Sequence, residues 1–460
     1  MKRLLLKILA LCTPVFVSAN VGLPSVFSDN MVLQRNAPVK LWGWSHPNEE
    51  ITITTGWDNK EYKIKGSNQA TWSLNVQTPG AGGPYTIKFK GYNEVTLNNV
   101  MLGEVWLCSG QSNMEWTPNA GITGGEAEIA KANYPDIRFF TVPKLTAKYP
   151  QQNLPGNWQA CSPETMKHFS AIGYFFAQCL QQDLKGVAIG VINSSWGGTP
   201  AEIWFPEEAI IADPILSEAA AKLKPAEWGP HEPGRAWNAM VNPLAGYRIA
   251  GTLWYQGESN VGSEVYNKTL AGLITSWRKA WGYDFPFYYV QIAPYNYDGY
   301  PDADWGVKVR DAQRRVLNEV PNTAMAVISD VGNLTDIHPR DKKPVGIRLA
   351  NIALNKIYGT NKAVAESPLY KDFTVKGNKL TVHFSNAQGL HFSGKTSTLF
   401  EIAGADGKFY PASAKIEKDG VVVSAKAVKN PVKVRYGWKN AAVSDLFNNA
   451  NLPASSFTSE

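Results

Sequence analysis

The sequence predicts an α/β protein. A parallel sheet with helices on both faces is expected over residues 101–365, a β-sandwich over 20–100, and a β-rich accessory region with a packed tail over 366–460. Two observations carry this. In the middle of the chain, short continuous apolar runs alternate with longer helix-period segments, the pattern of a buried parallel sheet covered by crossover helices. On either side the pattern changes to period-two alternation broken by Gly, Pro and Asn turns.

The elements follow in order. Ile51-Thr-Ile-Thr-Thr55 and Tyr85-Thr-Ile-Lys-Phe89 alternate as half-buried strands of the sandwich. The buried parallel strands are expected at 104–108, 188–192, 250–255, 287–292 and 324–328. Ser170 is placed to cap a helix whose apolar face is Ile172, Phe175, Phe176, Cys179 and Leu180. Further helices are expected over 263–281 and 307–320. The runs at 379–384 and 421–424 return to strand character, and Tyr436, Trp438 and Phe447 give the tail an apolar surface to bury.

Composition narrows the function classes. Only 18% of residues are charged while 12% are aromatic, including 16 tryptophans, so a disordered chain is excluded. The formal charge is +6, but Lys and Arg are scattered rather than clustered into a stripe, which argues against a nucleic-acid partner. Low charge with many aromatic rings suits a protein that handles neutral or weakly charged polar ligands, although a Trp-rich core has the same composition.

Residues 1–19 read as a secretory signal peptide: basic Lys2 and Arg3, an apolar run over 4–17, then Val17-Ser18-Ala19 as the cleavage site. The run is too short to span a bilayer, and no later stretch is long and apolar enough. An exported protein is expected, periplasmic or extracellular in a bacterium. Loss of Lys2, Arg3 and Lys7 would lower the formal charge from +6 to +3. Cys12 would leave with the leader, and the odd remainder of Cys108, Cys161 and Cys179 argues against a disulfide framework. Cys161 and Cys179 can pair if the compartment is oxidising, whereas Cys108 lies in an apolar run as a core residue.

Four polar segments follow expected strands, and loops at the carboxyl ends of parallel strands converge on one edge of a sheet. The first is Ser109-Gly-Gln-Ser-Asn-Met114, in which Ser112 lies two residues past a glycine turn. The second is Ser194-Ser-Trp-Gly-Gly-Thr-Pro-Ala-Glu-Ile-Trp204, whose paired glycines allow close approach of backbone N–H donors. The third, Trp254-Tyr-Gln-Gly-Glu-Ser-Asn260, offers Gln256 as a side-chain donor, Glu258 as an acid and Trp254 as a stacking surface. The fourth, Asp336-Ile-His-Pro-Arg-Asp-Lys342, offers His338 as a base with an acid two residues before it. Each alone also reads as an ordinary polar turn. Together they are the parts of serine acyl transfer: nucleophile, oxyanion donors, base and acid.

These segments, in this order, resemble the sialate O-acetylesterase family of the SGNH hydrolase superfamily; the opening Ser-Asp-Asn-Met-Val-Leu-Gln-Arg35 and the closing Val-Arg-Tyr-Gly-Trp438 add to the resemblance. The resemblance implies a three-layer α/β/α sandwich with a small parallel sheet plus β-rich modules. It implies Ser112 as nucleophile and also as oxyanion donor, His338 as base, and an oxyanion glycine at Gly197 or Gly198, with Gly198 preferred. Gln256 is the candidate for the superfamily's third oxyanion donor. The superfamily's acid lies three residues before the histidine, where this chain has Thr335, so the third triad member is open among Asp336, Glu258 and Asp330, in that order.

The implied activity is that of an exported serine esterase removing O-acetyl groups from a glycan, sialic acid first, with no metal or organic cofactor. Arg235 is a candidate partner for a sialic acid carboxylate, with Asn238, Trp204 and Trp254 beside it as substrate-binding residues. Acetylated xylan or pectin is the alternative substrate class. A carbohydrate-binding protein without catalysis is a remote alternative, disfavoured because Ser112 and His338 are both present. Oligomeric state is left open.

Overall fold

A computed structural model describes residues 20–418 and 420–460; the expected signal peptide at 1–19 lies outside the described residues. The centre of the fold is a parallel sheet built from β1 (Glu94–Gly110), β2 (Tyr134–Thr141), β3 (Ala188–Ser195), β4 (Gly251–Tyr255), β5 (Phe287–Val290) and β6 (Thr323–Ala326). The spatial order is β6-β5-β4-β1-β3-β2, closed at the far edge by the antiparallel strand Trp158–Cys161. The order reverses at β1, which therefore lies between β3 and β4. This is the switch point at which open α/β sheets place their sites.

Register shows the two covered faces. Cys108 pairs with Leu253 and Ser109 with Trp254. Paired residues point the same way, and successive residues point opposite ways. Cys108 and Trp106 therefore face α2 (Ala171–Leu184), where Phe176 packs edge-on against Trp106. Trp254 faces the other side, where Trp277 of α3 (Tyr266–Trp281) meets it. The helix α4 (Trp305–Glu319) packs on α3, and α5 (Lys343–Lys356) packs on α2. The fold is thus three-layered. Ser170 caps α2 by accepting the N–H of Gly173.

The expected boundary between residues 100 and 101 falls inside a single strand. Residues 94–110 form one strand whose first half pairs with Gly82–Lys90 and Val32–Gln34 and whose second half is the centre of the parallel sheet. The change of sequence texture at 101 marks a change of partner strands, from one-sided to two-sided burial, without a break in the backbone. Pro38–Trp44 and Thr71–Gln77 form a separate two-stranded sheet, and their buried residues share one core with the parallel sheet and its helices. Also absent from the expected strands is β2, which carries Arg138 among apolar neighbours.

Beyond α5 the chain forms two four-stranded sheets with a separate core that includes Leu380, Val382, Val421, Val434 and Phe457. The Arg310 guanidinium of α4 donates to the carbonyls of Lys439 and Asn440, tying this region to the body. Cys108, Cys161 and Cys179 are free thiols. Among the described residues no helix is long and apolar enough to cross a membrane.

Candidate active site

The site grows from the ends of β1, β3, β4 and β6. At the end of β1 the chain must turn tightly against β4. Gly110 has φ +131°, and a Cβ there would lie 2.1 Å from the carbonyl oxygen of Tyr255. Glycine alone fits this approach. Gln111 then donates its N–H to Tyr255 O, and Ser112 opens the short helix α1 (Ser112–Glu115). The Gln111 side-chain oxygen accepts N–H groups of Gly257 and Ser259, fastening the loop after β4 to the turn that carries Ser112.

His338 comes from the loop after β6. Its Nε2 is 2.8 Å from Ser112 Oγ, a hydrogen bond of the kind a serine nucleophile needs. Its ring stacks on Trp116, with centroids 4.5 Å apart. Asp336 Oδ1 accepts the backbone N–H of His338 at 2.9 Å and lies 3.9 Å from Nδ1. Burial raises the Asp336 pKa, but the His338 N–H and the Arg340 guanidinium outweigh it and leave the carboxylate below its usual range. Burial, and then the Lys342 ammonium, hold His338 below the ordinary imidazole range against the pull of Asp336, with Arg340 pushing the same way as Lys342. A neutral imidazole at neutral pH is the form that can accept a proton.

Beneath this pair lies a buried polar chain. Asn113 donates to Glu258 Oε1 at 2.7 Å and to the carbonyl of Ile337 at 3.1 Å, and accepts from Lys342 Nζ at 2.5 Å. Asn113, next to Ser112, is thus tied to Ile337, next to His338. Burial pushes Glu258 up and lowers Lys342 to about 7. The backbone N–H groups of Ser112 and Gly198 have no acceptor among the described residues, whereas that of Gly197 is taken by Glu115 Oε2 at 2.6 Å. These groups border a cavity of about 830 Å³ walled by Trp116, Trp228 and Pro200, with Lys144, Lys224 and His231 on its rim. A serine hydroxyl bonded to an imidazole, with a carboxylate behind that ring and two free N–H donors beside the serine, is a set that can perform acyl transfer from an ester.

The family model for carbohydrate esterase, sialic acid-specific acetylesterase, matches residues 102–355. The chain belongs to this family. The esterase is similar to the crystal structure of a carbohydrate acetylesterase from Xanthomonas citri, with a TM-score of 0.86 and 36% identity over 96% of this chain and 99% of that one. It is 28% identical to human sialate O-acetylesterase over 92% of this chain and 88% of that protein. The mouse sialate O-acetylesterase is 26% identical, covering 94% and 92% respectively.

Several expected site residues of the esterase lie elsewhere. Gln256 is fully buried, its N–H groups donated to Thr199 O and Asn260 Oδ1 and its oxygen bonded by Tyr266, so it has no donor left for an oxyanion. Trp254 is 0% exposed between Trp204 and Trp277, and Trp204 is equally buried, so neither can stack on a sugar. Both pack by Trp277 in the layer between the sheet and α3, where large rings fill the space. Arg235 does not line the cavity; its Nη1 lies 3.9 Å from Glu207. Asn238 is spent on the carbonyls of Ala147 and Lys148. Asp330 is bound by both terminal nitrogens of Arg348 and cannot orient His338. Glu258 borders the cavity, but its bonded oxygen faces Asn113.

Sequence reasoning passed over Gln111, Asn113 and Lys342, which belong to the two motifs that contain Ser112 and His338, and Glu115 and Trp116, which directly follow the first motif. Their position within or next to those motifs was the available signal. Trp228 had none, because it comes from a polar loop 30 residues beyond Gly198.

With His338 as the candidate base, activity is expected to fall as it protonates, and at that pH Lys342, lowered to about 7, carries its charge. Lys342→Met removes a repulsion from His338 and is expected to move the acid limb of the kcat/KM profile to higher pH. A limb that stays in place or moves to lower pH contradicts this coupling.

Proposed function

We propose that the protein is an exported serine esterase that removes O-acetyl groups from carbohydrates, sialic acids first among them, through a Ser112–His338–Asp336 mechanism. The observation that carries this is the 2.8 Å bond between Ser112 Oγ and His338 Nε2 at the mouth of a cavity with two unoccupied N–H donors. Ser112 Oγ attacks the acetyl carbonyl while His338 Nε2 takes its proton. The N–H groups of Ser112 and Gly198 hold the oxyanion. The imidazolium returns the proton to the departing sugar oxygen, leaving acetyl-Ser112. A water deprotonated by His338 then attacks this ester, and acetate leaves as Ser112 regains its proton. Asp336 stabilises the imidazolium. The basic and apolar start of the chain supports export.

Two observations bear on substrate. The mammalian relatives are sialate O-acetylesterases, and Lys224 at the cavity rim has no ion-pair partner among the described residues, which leaves an ammonium for a substrate carboxylate. A second cavity of about 470 Å³ adjoins the first through Leu223, Lys224 and Ser259, and this favours a longer acetylated glycan such as xylan or pectin. Acetate release should be measured on O-acetylated sialic acid, acetyl-xylan and acetylated pectin. The highest kcat/KM is expected on sialic acid. A preference for either polymer reverses the substrate assignment, and no release from any of the three refutes the activity.

A further inference from the structure

The Gly197–Gly198 peptide is intrinsically loose, because glycine populates a wide range of backbone angles. An oxyanion donor contributes most when it is fixed before the reaction. The structure holds the peptides on both sides of it. Upstream, the Gly197 N–H donates to Glu115 Oε2 at 2.6 Å, and the other oxygen of Glu115 pairs with Lys144 Nζ at 2.6 Å. Downstream, the Gly198 carbonyl accepts the indole N–H of Trp228 at 3.2 Å. The one peptide between these two anchors carries the free Gly198 N–H. It also packs on the nucleophile, since a Cβ at Gly197 would sit 3.1 Å from Ser112 Cβ.

Trp228 is itself placed by two contacts. Its carbonyl accepts the indole N–H of Trp196 at 3.0 Å, and Ala226 bridges to Gly229 across the turn that contains it. The indole lies so close to Gly198, which has φ +75°, that a Cβ there would be 2.1 Å from Trp228 Cδ1. Yet the residue is 67% exposed and borders the cavity opened by Ser112 and His338. One edge of the ring is committed to the glycine loop, and much of the rest is open to a ligand. An exposed indole face is suited to the C–H surface of a sugar ring.

We propose that Glu115 and Trp228 are positioning residues that clamp the Gly197–Gly198 peptide as oxyanion donor, and that the exposed face of Trp228 also seats the acetylated sugar. A single side chain then couples sugar binding to the readiness of the oxyanion hole. This rests on Ser112 as nucleophile and Gly198 as donor.

The test is steady-state kinetics on p-nitrophenyl acetate, which has no sugar, and on O-acetylated N-acetylneuraminic acid. Trp228→Phe keeps a ring but loses the N–H; it is expected to lower kcat about tenfold on both esters with KM for the sugar ester unchanged, less than the ~10²–10³ for losing a whole oxyanion donor. Trp228→Ala should match that kcat loss and in addition raise KM for the sugar ester alone. Glu115→Gln keeps an oxygen that accepts the Gly197 N–H and should retain kcat, whereas Glu115→Ala should lose about tenfold on both esters. Unchanged kcat in both Trp228→Phe and Glu115→Ala overturns the clamp, and an equal sugar KM in Trp228→Ala overturns the seat. Ser112→Ala is run alongside. Turnover in that variant defeats the underlying mechanism, while an inert Ser112→Ala with unaffected clamp variants defeats only this inference.

Discussion

Ser112→Ala is expected to lower kcat for p-nitrophenyl acetate by about 10⁶-fold, the size of effect seen when a serine nucleophile is removed from a triad. The chemistry has no evident substitute route, because among the described residues no other hydroxyl is bonded to His338 Nε2. The variant should remain folded. Ser112 is half-buried, its hydroxyl bonds only His338 among the described residues, and the carbons that pack against Gly197 are retained. Its stability is expected to stay within about 0.5 kcal/mol of the parent, as for substitutions that make no cavity and strand no buried polar group. Thermal unfolding and p-nitrophenol release measured on one preparation settle both halves. Undiminished release would remove Ser112 from the mechanism.

The second large effect is expected at Asp336. Its Oδ1 holds the backbone N–H of His338 and lies 3.9 Å from Nδ1, so an ionised carboxylate faces the ring as it gains charge. In Asp336→Asn the amide oxygen can still accept that N–H, so the loop keeps its anchor while the charge is lost. By analogy with the triad of serine proteases, kcat should fall by about 10⁴. Glu258→Gln should do far less. Burial pushes that carboxyl towards its neutral form, and the oxygen bonded by Asn113 survives in the amide. A near-normal rate in Asp336→Asn with a collapse in Glu258→Gln would exchange their roles.

How much of this was legible depends on the kind of signal. The parallel strands of the centre show as apolar runs because both faces are covered, and the ends found at 188, 255 and 287 agree with the strands observed there. The strand Tyr134–Thr141 escaped because Pro135, Asp136 and Arg138 break its apolar run. Arg138 is nonetheless buried and donates to Asn30 and Asn99, partners more than 30 residues away that no local pattern reveals. The pairing of Ser112 with His338 was legible because both stand in loops after parallel strands, which converge by topology alone.

The tryptophans show where reading stopped. Proximity in sequence placed Trp204 and Trp254 at the site, but strand alternation turns Trp254 away from the catalytic edge and into the layer under Trp277. The exposed ring at the cavity is Trp228 instead, brought back by a turn and held by Gly198 and Trp196. The low charge and aromatic abundance noted in the composition therefore describe the core more than the ligand.

The sequence by itself determined the α/β class and the order of the motifs, and singled out Ser112 and His338 as candidate nucleophile and base, because these depend on local periodicity and on residue chemistry at strand ends. Only the tertiary structure decided which donors remain free. Gly197 and Gln256 are both spent on internal acceptors, and Gly198 is not. A hydrogen-bond donor's availability is set by whatever partner folds against it, and those partners, Glu115 for Gly197 and Thr199 and Asn260 for Gln256, meet it only once the sheet has formed.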